Sequence, residues 1–421
     1  MVEIIKAYLL FCLFFFFDRL TRKDKKMWAF SVHHIKGEQF IENQRALFHH
    51  VRKDETIRKI VFTRDRNVTS LDVDDDSVNY EIVYLLSWRA MKILSTCGVI
   101  FVSHSIAMDY SIRFARSGFT FVRPTMIKRR VINVWHGIPI KALYALANDH
   151  VRNNMDRVSF RRYERKKYSG FITSSAVDSH AMTTMFHPIN YSQIWVTGLP
   201  RYDFLKKEIS KLPEYIKTQV YSIESMKSAL GKRVVLYAPT YRNSKFISGV
   251  DYYSFSDEEV VRLKEILKRN DAIFAFRMHY FKNEGLTNSY KKLIDNEFFF
   301  DFGHEIFSDI SAPIRCADLI ITDYSSIMFD AIYMNKDYIN FCFDMDNYIH
   351  MQDGLIYEPA LLLSPTCANN FDELATSLNS ILSGETSLVK QTHIECLKYM
   401  FFKYTDENNS ERIVNKIEAQ Q

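Results

Sequence analysis

Two histidines, three arginines and a pair of serines stand in this chain where phosphate chemistry would need them. The stretch Leu319-Ile-Ile-Thr-Asp-Tyr-Ser-Ser-Ile-Met-Phe-Asp330 passes from an apolar run into Thr322, Asp323, Tyr324, Ser325 and Ser326, and then into a new amphipathic pattern. This predicts a short buried strand, a tight polar turn and a helix opening on two serines. The first turn of a helix has unpaired backbone N–H groups and the positive end of the macrodipole. Hydroxyls placed there add donors around a seat for an anion such as phosphate. Taken alone, the stretch reads as a helix cap made by Asp323 or Ser325; its company elsewhere in the chain makes an anion site the better reading.

Four other predicted strand ends carry that company. Trp135-His136-Gly137-Ile138-Pro139 ends one strand. There Gly137 allows a sharp turn and a close ligand approach, Pro139 can open a helix, and His136 is presented to a cleft as a candidate base. Gly198-Leu-Pro-Arg-Tyr-Asp203 places Arg201 and Asp203 in a turn, as an anion contact or as a pair that fixes the turn. Tyr237-Ala-Pro-Thr-Tyr-Arg242 offers Thr240 and Arg242, and Phe276-Arg-Met-His-Tyr280 offers Arg277 and His279. Cations, a helix N-terminus and a positioned histidine together suit a pyrophosphate. The sequence has neither a Walker lysine motif nor GxGxxG, and neither HExxH nor a carboxylate cluster resembling a dedicated metal site. No metal site and no cofactor are therefore predicted, and dependence on Mg²⁺ is left open.

The elements that must position these residues alternate between strand and helix. Strands are expected at 27–32, 59–63, 98–103, 131–135, 170–173 and 193–197, with helices at 38–51, 80–96, 151–168 and 179–186 between them. A Lys- and Ser-rich stretch at 206–232 reads as linker plus helix. A second series of strands then follows at 234–238, 273–278, 298–301, 319–322 and 338–343. The fold class is thus α/β, with two Rossmann-like domains facing a central cleft and ligands gathered at the carboxyl ends of strands. The expected division is 1–26 as an apolar and basic membrane-associating segment, 27–212 as an acceptor domain, 213–395 as a donor domain, and 396–421 as a helical tail.

With 421 residues, 47% hydrophobic and 25% charged, the chain has the composition of a globular two-domain protein. A formal charge of +5 gives no reason to expect a nucleic-acid partner. Basic clusters at Lys128-Arg129-Arg130 and at 161–167 read as solvated faces or as attraction to an anionic polymer or membrane. Six scattered cysteines without a CxxC pair suggest neither zinc nor disulfides. Ile4 to Phe17 is apolar apart from Lys6 and is followed by Arg19, Arg22, Lys23, Lys25 and Lys26. The run is short of the ~20 residues that span a bilayer. It suits a monotopic anchor on an anionic leaflet or, equally, a buried first helix.

Five blocks resemble, in order, the CDP-glycerol glycerophosphotransferase family of teichoic acid primases, polymerases and capsule-building relatives. They are Asn133–Lys141, Gly198–Leu205, Leu236–Arg242, Arg277–His279 and Ala317–Asp330. The resemblance covers about residues 26 to 360. It implies a GT-B-like fold and a peripheral enzyme at the cytoplasmic face of the bacterial cell membrane. Such an enzyme moves glycerol phosphate from CDP-glycerol to a hydroxyl of a lipid-linked or polymeric acceptor and releases CMP. On this likeness His136 is the base toward the acceptor, and His279 contacts the donor pyrophosphate and assists the leaving group. Thr240, Arg242, Arg277, Asp323, Ser325 and Ser326 lie with the donor, and Arg201 and Gly137 near the acceptor or phosphate. The family commonly has Thr at Ile138, Trp at Tyr241 and Pro at Tyr280, which puts the polyol in question rather than the chemistry. CDP-ribitol or a nucleotide sugar as donor are the alternatives. A reading of another class is a non-catalytic membrane adaptor holding anionic polymer through residues 151–167, against which the two histidines argue.

Overall fold

Apolar runs that end in a Gly, Pro or polar turn become parallel strands whose residues are almost all buried. A computed structural model describes residues 2–32, 39–68, 71, 73–113, 120–149, 158–240, 252–278, 290–351, 354–385 and 387–420. The first sheet contains β1 (Asp24–Ser31), β2 (Arg58–Thr63), β3 (Tyr80–Tyr84), β4 (Cys97–Val102), β7 (Arg130–Asn133), β8 (Gly170–Thr173) and β9 (Ile194–Val196). Between β4 and β7, β5 (Ile112–Arg113) and β6 (Thr120–Val122) form a small antiparallel pair. The second sheet contains β10 (Arg233–Tyr237), β11 (Ala272–Phe276), β12 (Phe299–Asp301), β13 (Leu319–Thr322), β14 (Asp337–Phe341) and β15 (Cys367–Ala368).

Both sheets are wound alike. The first has the order β3-β2-β1-β4-β7-β8-β9 and the second β12-β11-β10-β13-β14-β15. Strand order reverses between β1 and β4, and again between β10 and β13. Loops leaving those strands splay apart and open a crevice for ligand. Thr240 follows β10 and Ser325 follows β13, so both stand at the second switch point.

The C-terminal helices Leu388–Phe401 and Asn409–Glu418 return to the first sheet's side. Lys403 N donates to Ser174 O and Ser174 Oγ to Phe401 O, both at 2.8 Å. Asp203 accepts from Asn409 N at 2.8 Å, Asn409 Nδ2 at 2.9 Å and Ser410 N at 2.9 Å, so it caps the last helix. Gly198 has φ +80°, and a Cβ there would lie 1.9 Å from Asn409 Oδ1, which admits only glycine. One apolar core includes Trp28 and Ile132 from the first sheet, Leu236 and Ile320 from the second, and Phe401 and Ile413 from this tail.

Four expectations are corrected. The helix expected at 80–96 is strand β3 followed by α3 (Trp88–Thr96), because Ser87 starts the helix by accepting from Ala90 N at 3.1 Å. Pro139 opens no helix; the segment after it is irregular, and Lys141 bridges to Leu355. Arg129 is not on a solvated face, since it is buried against Asp18 of α1 (Val2–Leu20). In the basic segment, residues 151–157 lie outside the described residues. Within the helix Val158–Arg165, Glu164 is buried as acceptor for Ile106 N at 2.6 Å, and Arg165 is buried over the Tyr144 and Phe186 rings.

Among the described residues, no helix is long and apolar enough to cross a membrane. Phe14 of α1 packs with Met91 and Val122, while Asp18 accepts from Thr125 N at 2.8 Å and Thr125 Oγ1 at 2.6 Å and pairs with Arg129. The opposite face exposes Ile5, Tyr8, Leu9, Leu13, Phe16, Phe17 and Leu20. These residues form an exposed apolar stripe along the helix.

Candidate active site

A cavity of about 380 Å³ lies between the carboxyl ends of the two sheets. From the first half come His104, His136, Gly137, Lys141 and Arg201, together with Glu42, the first residue of α2 (Glu42–Val51). From the second come Thr240, Arg277, His304, Ser325, Ser326 and Asp330.

His136 is presented by a strained turn. Trp135 has φ +46°, unusual for a bulky residue, and its N–H donates to Asn133 Oδ1 at 2.9 Å. The Trp135 and His136 rings stack with centroids 3.8 Å apart, which fixes the imidazole against an apolar plate. His104, at the end of β4, has its ring centroid 5.1 Å from that of His136. Its Nδ1 lies 3.5 Å from Asp109 Oδ1, and Asp109 Oδ2 accepts from Ser103 N at 2.8 Å and His104 N at 3.1 Å. A second histidine beside the first escaped the sequence reading, although the strand-end argument applied to His136 would have found it.

Opposite stands the polar turn after β13. A Cβ on Gly137 would lie 3.0 Å from Ser326 Oγ, so the histidine loop and the serine loop approach as closely as glycine allows. Ser326 precedes the helix Ile327–Met334, and Ser325 Oγ accepts from Ile327 N at 3.4 Å. Asp323 has another place: it is buried and does not line the cavity. Its Oδ1 accepts from Thr240 N at 2.8 Å, and Thr322 Oγ1 donates to Ala238 O at 2.8 Å. These bonds tie the two loops of the switch point together, so Asp323 positions Thr240.

Arg277 is buried at the rim and donates from Nη1 to Phe302 O and Phe307 O, both at 2.8 Å. Burial lowers its guanidinium to about 10, which leaves it cationic at neutral pH. Arg201 donates to Asp330 Oδ1 at 2.5 Å across the two halves. Burial works against its charge, but Asp330 more than offsets this and holds the guanidinium above the ordinary arginine range. The Arg201–Asp203 pair expected to fix this turn is therefore replaced by an Arg201–Asp330 pair, and Arg201 lines the cavity. His279 and Arg242, the remaining expected contacts, lie outside the described residues, as does Tyr241. Among the described residues, no group of three or more His, Cys, Asp and Glu is placed to hold a metal ion.

Two wound sheets meeting at a cleft with histidine on one wall and a helix N-terminus on the other define a GT-B-like transferase architecture. The chain belongs to the CDP-glycerol:poly(glycerophosphate) glycerophosphotransferase family, whose profile matches residues 13–419. It is 27% identical to the teichoic acid ribitol-phosphate polymerase TarL of Staphylococcus aureus over 78% of this chain and 53% of that protein. It is 25% identical to a teichoic acid poly(glycerol phosphate) polymerase of Bacillus spizizenii over 80% of this chain and 79% of that one. The chain therefore spans about half the length of the first relative and most of the second. A solved structure of the wall teichoic acid polymerase TagF superposes with a TM-score of 0.72 at 18% identity, covering 100% of this chain and 95% of that one, so the fold is shared.

Proposed function

We propose that this protein transfers glycerol phosphate from CDP-glycerol to a hydroxyl of a lipid-linked or polymeric polyol-phosphate acceptor, releasing CMP. The polymer would be a teichoic-acid-like or capsular one. The observation that carries this reading is His136 facing the Ser325–Ser326 helix start across one cavity, with Gly137 against Ser326. His136 takes the proton of the acceptor hydroxyl while that oxygen attacks the β-phosphorus. The bond from the β-phosphorus to the bridging oxygen breaks, and CMP leaves with that oxygen. The helix start, Thr240 and Arg277 hold the pyrophosphate charge, and Arg201 faces the transferred phosphate. His279 and Arg242 complete the donor side by family likeness. Residues 27–212 then act as the acceptor domain and 213–395 as the donor domain.

The test is CMP release from CDP-glycerol with a polyol-phosphate lipid acceptor. His136→Ala should lower kcat by about 10²- to 10⁴-fold, and an unchanged rate would overturn the assignment. Similarity to a ribitol-phosphate polymerase favours CDP-ribitol as a second donor, so the two are compared side by side.

The reading includes a membrane. The exposed stripe of α1 beside Arg19, Arg22, Lys25 and Lys26 suits a helix lying in the cytoplasmic leaflet of an anionic bilayer. The protein should float with anionic vesicles, and failure to do so rejects this anchor.

A further inference from the structure

Asn43, the second residue of α2, is 1% exposed and lies behind the cavity wall. Its Nδ2 donates to Val134 O and to Trp135 O, each at 2.9 Å, and its Oδ1 accepts from Arg201 N at 2.9 Å. Carbonyls can only accept and an N–H can only donate, so chemistry fixes which way this amide faces. Its three partners lie in two loops far along the chain, one ending in His136 and the other beginning with Arg201. The residue before it, Glu42, is left-handed at φ +61° and lines the cavity, so Asn43 also restrains a third, strained segment.

We infer that Asn43 is a positioning residue for the transfer, setting the distance between the His136 imidazole and the Arg201–Asp330 pair. The inference rests on the reading of His136 as base. An asparagine is suited to this and few other residues are. Aspartate keeps the acceptor for Arg201 N but turns an oxygen toward two carbonyl oxygens. Glutamine is one methylene too long for a site buried on all sides, and alanine makes none of the three bonds. Misplacing a reacting group by about 1 Å costs on the order of 100-fold in rate. Donor contacts on the second sheet are untouched by the change, so kcat should fall while KM for the donor holds.

Asn43→Ala and Asn43→Asp are compared with the wild type in CMP release from CDP-glycerol, with circular dichroism and CMP binding as checks on folding. Both should lose about 10- to 100-fold in kcat, with KM for CDP-glycerol changed less than about threefold. The aspartate adds a readout that a purely structural role would not move. Buried beside two carbonyls, its carboxyl gains from protonation, and the O–H then donates to one of them. Its kcat relative to wild type should therefore rise as pH falls, while the alanine ratio stays flat. A folded Asn43→Ala with wild-type kcat overturns the inference, as does an aspartate ratio that is flat with pH. His136→Ala run beside them separates the two claims. Its full activity would fail the catalytic reading, whereas an inactive His136→Ala beside an active Asn43→Ala fails the positioning role alone.

Discussion

Trp135 holds a backbone conformation that costs a bulky residue about 1–3 kcal/mol, and it does so one residue before His136. Such strain persists where neighbours over-determine it, here through bonds to the Trp135 N–H and carbonyl from Asn133 and Asn43. Away from the site, Asp178 shows the opposite economy. Its Oδ2 accepts from Ser174 N at 2.8 Å and Ser174 Oγ at 3.1 Å, while Oδ1 is buried without a hydrogen-bond partner among the described residues. Burial raises this carboxyl to about 7. A raised value means the folded state holds the proton more tightly than the unfolded chain. Its stabilising contribution is therefore complete below about pH 4 and declines up to about pH 7. The slope is at most about 1.4 kcal/mol per pH unit. Asp178→Asn should remove it, so melting temperatures of the two proteins should diverge between pH 5 and pH 8 in favour of the variant; parallel curves would refute this. At this scale the sequence placed His136, Thr240, Arg277 and the serine pair at strand ends, where they line the cavity, because each follows an apolar run that stops at a turn. It hid Asn43 and the Arg201–Asp330 pair, since their partners are brought close only by the fold.

At the level of elements, strands buried on both faces were legible as continuous apolar runs. β3 was not: it is an edge strand with a single buried residue among five, Val83, and Tyr80 is exposed. Its pattern merged with that of α3, and the boundary rests on one serine. The N-terminal helix shows a related limit. Its apolar composition looked uniform, but packing divides it into a face against Met91 and Val122 and a stripe turned outward. Removing apolar area from the stripe should weaken the proposed lipid attachment by about 25 cal/mol per Å² without loosening the fold. Leu9→Ser, Leu13→Ser and Phe16→Ser combined should abolish vesicle flotation and leave the melting temperature within about 2 °C, because surface changes of this kind seldom exceed about 0.5 kcal/mol. A large fall in melting temperature would mean that the stripe packs on protein instead.

Across the whole molecule, the two-sheet architecture followed from the alternation of strand and helix, whereas the return of the tail to the first sheet's side did not. That return depends on Gly198, where a side chain would collide with Asn409, and on Asp203, which caps the last helix. Gly198→Ala should destabilise the protein by about 2–4 kcal/mol through strain and overpacking, read as a lower denaturant midpoint. An unchanged midpoint would show that the helix Asn409–Glu418 is dispensable. The double crossing also has a mechanical result. Two bodies joined by one segment of chain are restrained at one place, whereas here a second crossing, before the helix Leu388–Phe401, restrains them at another. Together with the apolar core that includes residues of both sheets and of the tail, these two connections hold the histidine wall and the serine wall in one register.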